Sequence, residues 1–308
     1  MFHLINILGE ECMKNISEHE YTTYPRRFNS YRWYKPILVF LLFVVIFLAL
    51  GLVIDVISKT LLGFTDSSGA GYDGMDFFTP AGAFHNGAQA AIAVPAVLLA
   101  ALIVKDRPLS SYFSSMGGWR WKVFLKTFAA AFVILGIPTM IWYFAHGKVA
   151  DFKLTFLGTI ILALFLPFQG LGEELQYRSF ITQTVSSWFM IPIAGVIAQI
   201  VFFTIVHPYN IIGMIEIAIS AIIYALTCVI TKGIEAPTAL HIINNSVEIF
   251  MAGLGYGLIT SEQNVPSIAV NLILKILFFA FIIFANKKLH WFREVKRDDV
   301  AEFNAKLK

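Results

Sequence analysis

Two adjacent carboxylic acids, Glu173 and Glu174, follow a run from Leu154 to Leu171 that holds no charged residue. One acidic side chain in the middle of a membrane helix costs roughly 2.5–3.5 kcal/mol on insertion scales. Two in succession therefore imply work that ionisable groups do. Three more polar residues in apolar surroundings offer matching chemistry. His207 closes Phe203-Thr204-Ile205-Val206-His207, and His241 and Asn245 bracket His241-Ile242-Ile243-Asn244-Asn245. A carboxylate with two imidazoles and an amide can activate water, relay a proton, ligate a metal or hold an oxyanion.

Helical spacing sorts these groups. Glu174 and Arg178 are four residues apart in the favourable acid-first order, so Arg178 offsets Glu174. Glu173 shares a face with Tyr177 and has no cation nearby in sequence, which leaves it as the candidate general base. His241 and Asn245 are also four apart and point into one cavity, and Glu248, seven beyond His241, extends that face. A single intramembrane histidine is more often a packing hydrogen-bonder than a catalyst. Here the argument rests on the set.

The elements that must position these groups are membrane helices. The chain has 308 residues, 57% hydrophobic and 14% charged, with mean hydropathy +0.71, whereas soluble domains average about 25% charged. These values exclude an ordinary soluble domain and predict an all-α, polytopic bundle, because helices satisfy their own backbone groups in lipid. The partners expected are the lipid bilayer and a peptide or membrane-protein substrate, with no nucleic acid. Apolar stretches predict eight spans at 36–58, 87–104, 123–144, 154–185, 190–207, 211–231, 235–258 and 267–285. Residues 1–35 form a polar N-terminal segment, 36–285 the bundle, and 286–308 a basic tail.

Basic residues set the expected orientation. Lys14, Arg26, Arg27, Arg32 and Lys35 precede the first span, and Lys105, Arg107, Arg120 and Lys122 follow the second. Lys287, Lys288, Arg293, Lys296, Arg297, Lys306 and Lys308 lie in the tail, whereas the alternate loops hold Asp66, Asp73, Asp76 and Asp151. Both termini are therefore expected to be cytoplasmic. Trp33, Trp119, Trp121, Trp188 and Trp291 then fall at the cytoplasmic interface, where indole rings favour the boundary. No cleavable signal peptide is expected ahead of the first span, and Met13 is an alternative start. Cys12 and Cys228 have no metal or disulfide spacing.

Glu173-Glu174-x-x-x-Arg178, Phe203-x-x-x-His207 and His241-x-x-x-Asn245 together resemble the EExxxR, FxxxH and HxxxN motifs of the CPBP family of intramembrane proteases. That family includes type II CAAX prenyl endopeptidases and bacterial Abi or bacteriocin-immunity proteins. The resemblance covers about residues 105–255 and is sharpest from 167 to 250. It implies a peptidase in which Glu173 and His207 activate water and His241 and Asn245 hold the oxyanion. Glu174 and Arg178 would form a structural ion pair, and Phe203 would pack the site. Ser179 stands where many relatives have glycine, which bears on packing more than on chemistry. No HExxH is present, so the chain is not an ordinary zincin. Glu173, His207 and His241 could ligate zinc or work without metal, as metalloprotease or glutamate protease. The substrate expected is a peptide near the cytoplasmic leaflet or a membrane-embedded tail. Prenylated CAAX tails are what the eukaryotic branch cuts. The Ile-, Phe- and Asn-rich composition points instead to a bacterial plasma-membrane protein acting on a peptide precursor.

The reading from another class is non-catalytic: a proton- or cation-coupled carrier, or an immunity factor. Inverted repeats would favour a carrier, and the sequence displays none. Glu216 reads as an interfacial residue, Lys275 as a packing or snorkelling lysine, and Asp55 as a residue of the outer interface. Asp106-Arg107-Pro108-Leu109 reads as a cytoplasmic elbow.

Overall fold

Apolar chain away from water must close its backbone hydrogen bonds within each segment, and helices do so here. The computed structural model describes residues 20–65 and 72–306, apart from the side chain of Ser267, and among them the chain is helical without strands. Cys12, Met13, Lys14, Asp66 and Lys308 lie outside the described residues. The helices are α1 (Lys35–Leu61), α2 (Pro80–Val104), α3 (Trp121–His146), α4 (Phe156–Phe189), α5 (Pro192–Ile205), α6 (Ile211–Thr231), α7 (Glu235–Gly253), α8 (Val265–Phe284) and the short α9 (Asp299–Ala305).

A helix stands at each of the eight expected stretches, but only six are both long and apolar enough to cross a bilayer. The two that fall short serve the candidate site. α5, which leads to His207, has 14 residues, about 21 Å of rise. α7 carries Glu235, His241, Asn244, Asn245 and Glu248, and these lower its hydropathy. α2 begins at Pro80 rather than at 87. Thr79 caps it by accepting from the Gly82 N–H at 3.1 Å, and Pro80 takes the first helical position. The small and polar residues of its first half, Pro80-Ala-Gly-Ala-Phe-His-Asn-Gly, hide that turn from a hydropathy reading.

The outward faces carry Leu48, Leu52, Phe156 and Ile211, all exposed, as a lipid-facing surface requires. Inside, glycine permits close approach at two places that set the site. A Cβ on Gly170 of α4 would lie 3.0 Å from Ile242 of α7. A Cβ on Gly195 of α5 would lie 2.0 Å from the Thr182 carbonyl oxygen of α4. Both contacts draw α5 and α7 against α4, so the motif residues converge.

The two terminal segments meet at one end of the bundle. The Asn29 N–H donates to Asn304 Oδ1 at 2.8 Å, Asn304 Nδ2 donates to the Arg27 carbonyl at 3.1 Å, and Phe28 meets Phe303 edge to face. Trp188 Nε1 donates to the Trp33 carbonyl at 2.8 Å beside them. Beneath lies a buried pair absent from the sequence reading: Arg120 Nε and Nη2 donate to the two Glu235 oxygens at 2.9 Å each. Its geometry is the bidentate fork that suits guanidinium and carboxylate. Removing one partner of such a pair strands the other charge, so Glu235→Ala is expected to cost about 3–5 kcal/mol. Thermal unfolding of the purified protein in detergent reads this; an unchanged midpoint would show that the pair contributes nothing.

Candidate active site

α4 reaches the site with its backbone altered. Pro167 lies inside the helix, and from Glu174 to Ile181 the turns widen to π geometry. The Thr182 hydroxyl donates to the Tyr177 carbonyl, five residues back, at 2.9 Å. Such π segments inside α-helices recur at functional sites. The wide turn begins directly after Glu173, between the two acids.

The acids diverge. Glu174 and Arg178 are fully buried, with Arg178 Nη1 3.4 Å from Glu174 Oε1. None of the guanidinium nitrogens has a hydrogen-bond partner among the described residues. The cation is held instead by charge and by aromatic faces, 4.0 Å from the Phe203 centroid and 4.9 Å from that of Tyr224. Phe203 also meets Tyr177 edge to face at 5.0 Å. Glu174 has a second contact beyond the ion pair: its Oε1 lies 2.8 Å from His241 Nδ1. A carboxylate paired with Arg178 is an acceptor, so His241 Nδ1 is the donor. Glu174 therefore orients His241 as well as offsetting Arg178.

Glu173 turns toward the cavity. Its Oε2 is buried without a hydrogen-bond partner among the described residues. His241 Nε2 stands 3.5 Å from that atom and His207 Nε2 stands 4.0 Å from it. His207 lies just beyond the end of α5, with its Nδ1 2.6 Å from the Phe203 carbonyl oxygen. A carbonyl only accepts, so Nδ1 carries the hydrogen and the neutral ring presents the Nε2 lone pair to Glu173.

The other Glu173 oxygen is held by a residue the sequence reading passed over. Gln169 Nε2 donates to Glu173 Oε1, and Gln169 Oε1 accepts from Asn245 Nδ2 at 2.9 Å. Asn245 therefore lies on the site and uses one N–H to place Gln169. Beyond it, Asn244 Nδ2 donates to Asn245 Oδ1 and Asn271 Nδ2 donates to Asn244 Oδ1, each at 2.9 Å. Gln169 sits one helical turn before Glu173, within the run read only for its missing charge; that i, i+4 spacing was the available signal. Gln169→Leu, which leaves Oε1 unpartnered, is expected to lower turnover of a cleaved peptide about tenfold, the scale of losing one net hydrogen bond of about 1.4 kcal/mol. Single-turnover cleavage measures it, and unaltered turnover would remove Gln169 from the positioning chain.

A cavity of about 910 Å³ contains Glu173, His207, His241 and Asn245. Glu216 and Lys275 also line it. They pair at 2.7 Å, and Lys275 Nζ donates to Ser220 Oγ at 2.8 Å. Lys275 is therefore a buried ion-pair partner rather than a snorkelling lysine, and Glu216 is not simply interfacial. Glu248 lines the same cavity, as its helix face predicts, and accepts from Tyr143 Oη and from Asn271 Nδ2. Tyr72 and Tyr209 stand at its edge with rings 5.0 Å apart. Burial raises both phenols above their ordinary range, so each stays a neutral O–H group. Asp55 pairs with Lys59 at 2.8 Å near the end of α1. Asp106 and Arg107 form a buried elbow, closed by the Tyr112 hydroxyl on Asp106 and the Tyr112 ring 3.9 Å from Arg107.

Two imidazoles and one carboxylate are the donor types a zinc site uses. Among the described residues, however, no three His, Cys, Asp or Glu side chains are grouped as a metal site requires. The 4.0 Å separation of His207 from Glu173 is consistent with that.

The family model described as type II CAAX prenyl endopeptidase Rce1-like matches residues 155–247. The matched stretch holds all three motifs and supports membership of the CPBP family. No curated protein and no solved structure matches the chain.

Proposed function

We propose, on the match of residues 155–247 to the type II CAAX prenyl endopeptidase Rce1-like model, that this protein is an intramembrane endopeptidase that hydrolyses a peptide bond with water activated by Glu173 and His207. The observation that carries the proposal is the buried Glu173 Oε2, faced by imidazole nitrogens delivered from two other helical segments at 3.5 and 4.0 Å. One water molecule spans such separations, donating one hydrogen to Oε2 and the other to the His207 Nε2 lone pair.

As the water oxygen attacks the carbonyl carbon, its proton passes to Glu173. His241, held by Glu174 through Nδ1, turns Nε2 toward the cavity; protonated there, it donates to the developing oxyanion. Asn245 has a second N–H for the same oxygen. Collapse of the tetrahedral intermediate breaks the C–N bond, and the proton on Glu173 passes to the leaving nitrogen. The products are a carboxylic acid and an amine. The site lies inside the bundle, where low dielectric strengthens each of these contacts.

Purified protein in detergent tests this directly. It is offered unmodified peptides, a prenylated CAAX peptide and membrane-associated protein substrates, with product masses read by mass spectrometry. Peptide-bond hydrolysis is expected, lost in His207→Ala and His241→Ala while gel filtration stays unchanged. Full cleavage by both variants would place the chemistry elsewhere. If no substrate is cut but the same variants lose ion-coupled uptake or toxin immunity, the carrier or immunity reading replaces this one. Water activation by the side chains alone predicts that cleavage survives exhaustive chelation. Loss on chelation, restored by zinc, would put a metal among Glu173, His207 and His241.

A further inference from the structure

The cavity that holds Glu173 is open at one end of the bundle and stopped at the other, and the two ends differ in charge. At the open end it is lined by Met75 before α2, Val149 between α3 and α4, Tyr209 between α5 and α6, and Leu258 between α7 and α8. Those connections are stitched together. The Val149 N–H donates to the Gly255 carbonyl at 2.9 Å, the Tyr72 N–H donates to Ser261 Oγ at 2.8 Å, and the Asn210 N–H donates to the Ser261 carbonyl at 3.0 Å. The mouth is thus a built rim.

The other end is packed shut. Leu175, two residues past Glu173, enters a buried cluster with Tyr21, Tyr112, Cys228 and Ile234. Tyr21 of that cluster belongs to the N-terminal segment, which meets α9 at Asn29–Asn304 and Phe28–Phe303, and Ile234 adjoins Glu235 of the buried Arg120–Glu235 pair. This stopped end carries Arg26, Arg27 and Arg32 before α1 and Lys35 at its first residue, with Lys105, Arg107 and Arg120 between α2 and α3 and Lys122 in the first turn of α3. Lys232 precedes α7, and Lys287, Lys288, Arg293, Lys296 and Arg297 follow α8. Among the described residues the open end has Lys59, Lys148 and Lys153. Loops rich in Lys and Arg stay in the cytoplasm.

The lining gives the end that holds the mouth and the Lys/Arg bias gives the end that stays in the cytoplasm, two independent observations. We infer that the catalytic cavity opens to the non-cytoplasmic face, so that its substrate is a peptide segment presented from outside the membrane or from its outer leaflet. The inference rests on the peptidase reading for what the cavity does, but not for where it opens. It reverses the expectation of access near the cytoplasmic leaflet.

A membrane-impermeant maleimide tests the sidedness in intact cells and again after permeabilisation. Cysteines are introduced one at a time in a Cys12→Ala background. Val149→Cys and Leu258→Cys report the rim, where both native side chains are exposed, and Glu294→Cys reports the opposite end. The rim positions are expected to react in intact cells, whereas Glu294→Cys reacts only after permeabilisation. Two rim variants on separate loops guard against one that misfolds, and gel filtration checks each. Rim cysteines shielded in intact cells, or a Glu294→Cys that reacts there, would overturn the assignment. Labelling does not depend on cleavage. Failure of the peptidase assay therefore leaves this result standing, and a reversed labelling pattern leaves the chemistry standing.

Discussion

Glu173→Gln is expected to lower cleavage by about two to four orders of magnitude, the span of a lost general base, while the folded bundle loses no stability. The two effects differ for a physical reason. Gln preserves the shape of the side chain and still meets the Gln169 amide, but it accepts no proton from water. It also replaces an oxygen, Oε2, that is buried without a hydrogen-bond partner among the described residues, and an unsatisfied buried polar atom is a cost to folding. Activity and stability should therefore separate. Cleavage kinetics and thermal unfolding in detergent, run on the same preparation, check both. A Glu173→Gln protein that cuts at the parental rate would remove this residue from the chemistry. One that is inactive and also unfolded would make it structural.

Arg178→Met is expected to do the reverse in rank order, destabilising first and inactivating as a consequence. Glu174 and Arg178 have no exposed side-chain surface, so deleting the cation leaves Glu174 buried and uncompensated, at a cost of about 3–5 kcal/mol. Arg178→Lys should not restore it. The guanidinium lies against the faces of Phe203 and Tyr224, and a compact ammonium cannot spread over two rings in that way. The double variant Glu174→Gln/Arg178→Met should recover most of the stability, because no charge is then stranded. It should not recover cleavage, because the neutral amide at 174 no longer offsets the charge of a protonated His241, whose Nδ1 contacts Glu174 Oε1 at 2.8 Å. Thermal unfolding of the three variants decides the first point and turnover the second. Equal loss of stability in the single and double variants would show that the pair does not act as a unit.

Much of this site was legible in the chain. Charged and polar residues are costly in apolar surroundings, so Glu173, Glu174, His207, His241 and Asn245 stood out by their setting alone. Spacing of four paired Glu174 with Arg178, and the structure keeps that pair. Spacing of seven put Glu248 on the His241 face, and it lines the cavity. Other contacts join residues far apart in sequence. Glu216 read as interfacial and Lys275 as a packing or snorkelling lysine, and the two meet only through the packing of α6 against α8. Gln169 and Asn245 are likewise from different helices, and Arg120 and Glu235 from different segments. No periodicity signals such pairs.

The charge pattern also gave an expected orientation for the ends of the bundle but not which end holds the mouth. A hydropathy pattern records where chain enters and leaves lipid; it says nothing of whether the helices are packed or parted at a given depth. The adjacent acids show the same division. Their presence, and the offsetting of one by Arg178, follow from composition and helical spacing, which are local properties. Their different tasks were decided in three dimensions. The π turn that starts after Glu173 and the close approach of α5 and α7 at Gly195 and Gly170 bring His207 and His241 to one oxygen of Glu173. The same approach puts Glu174 behind His241. Those separations depend on side chains from three segments sharing one volume, and only the folded bundle brings them there.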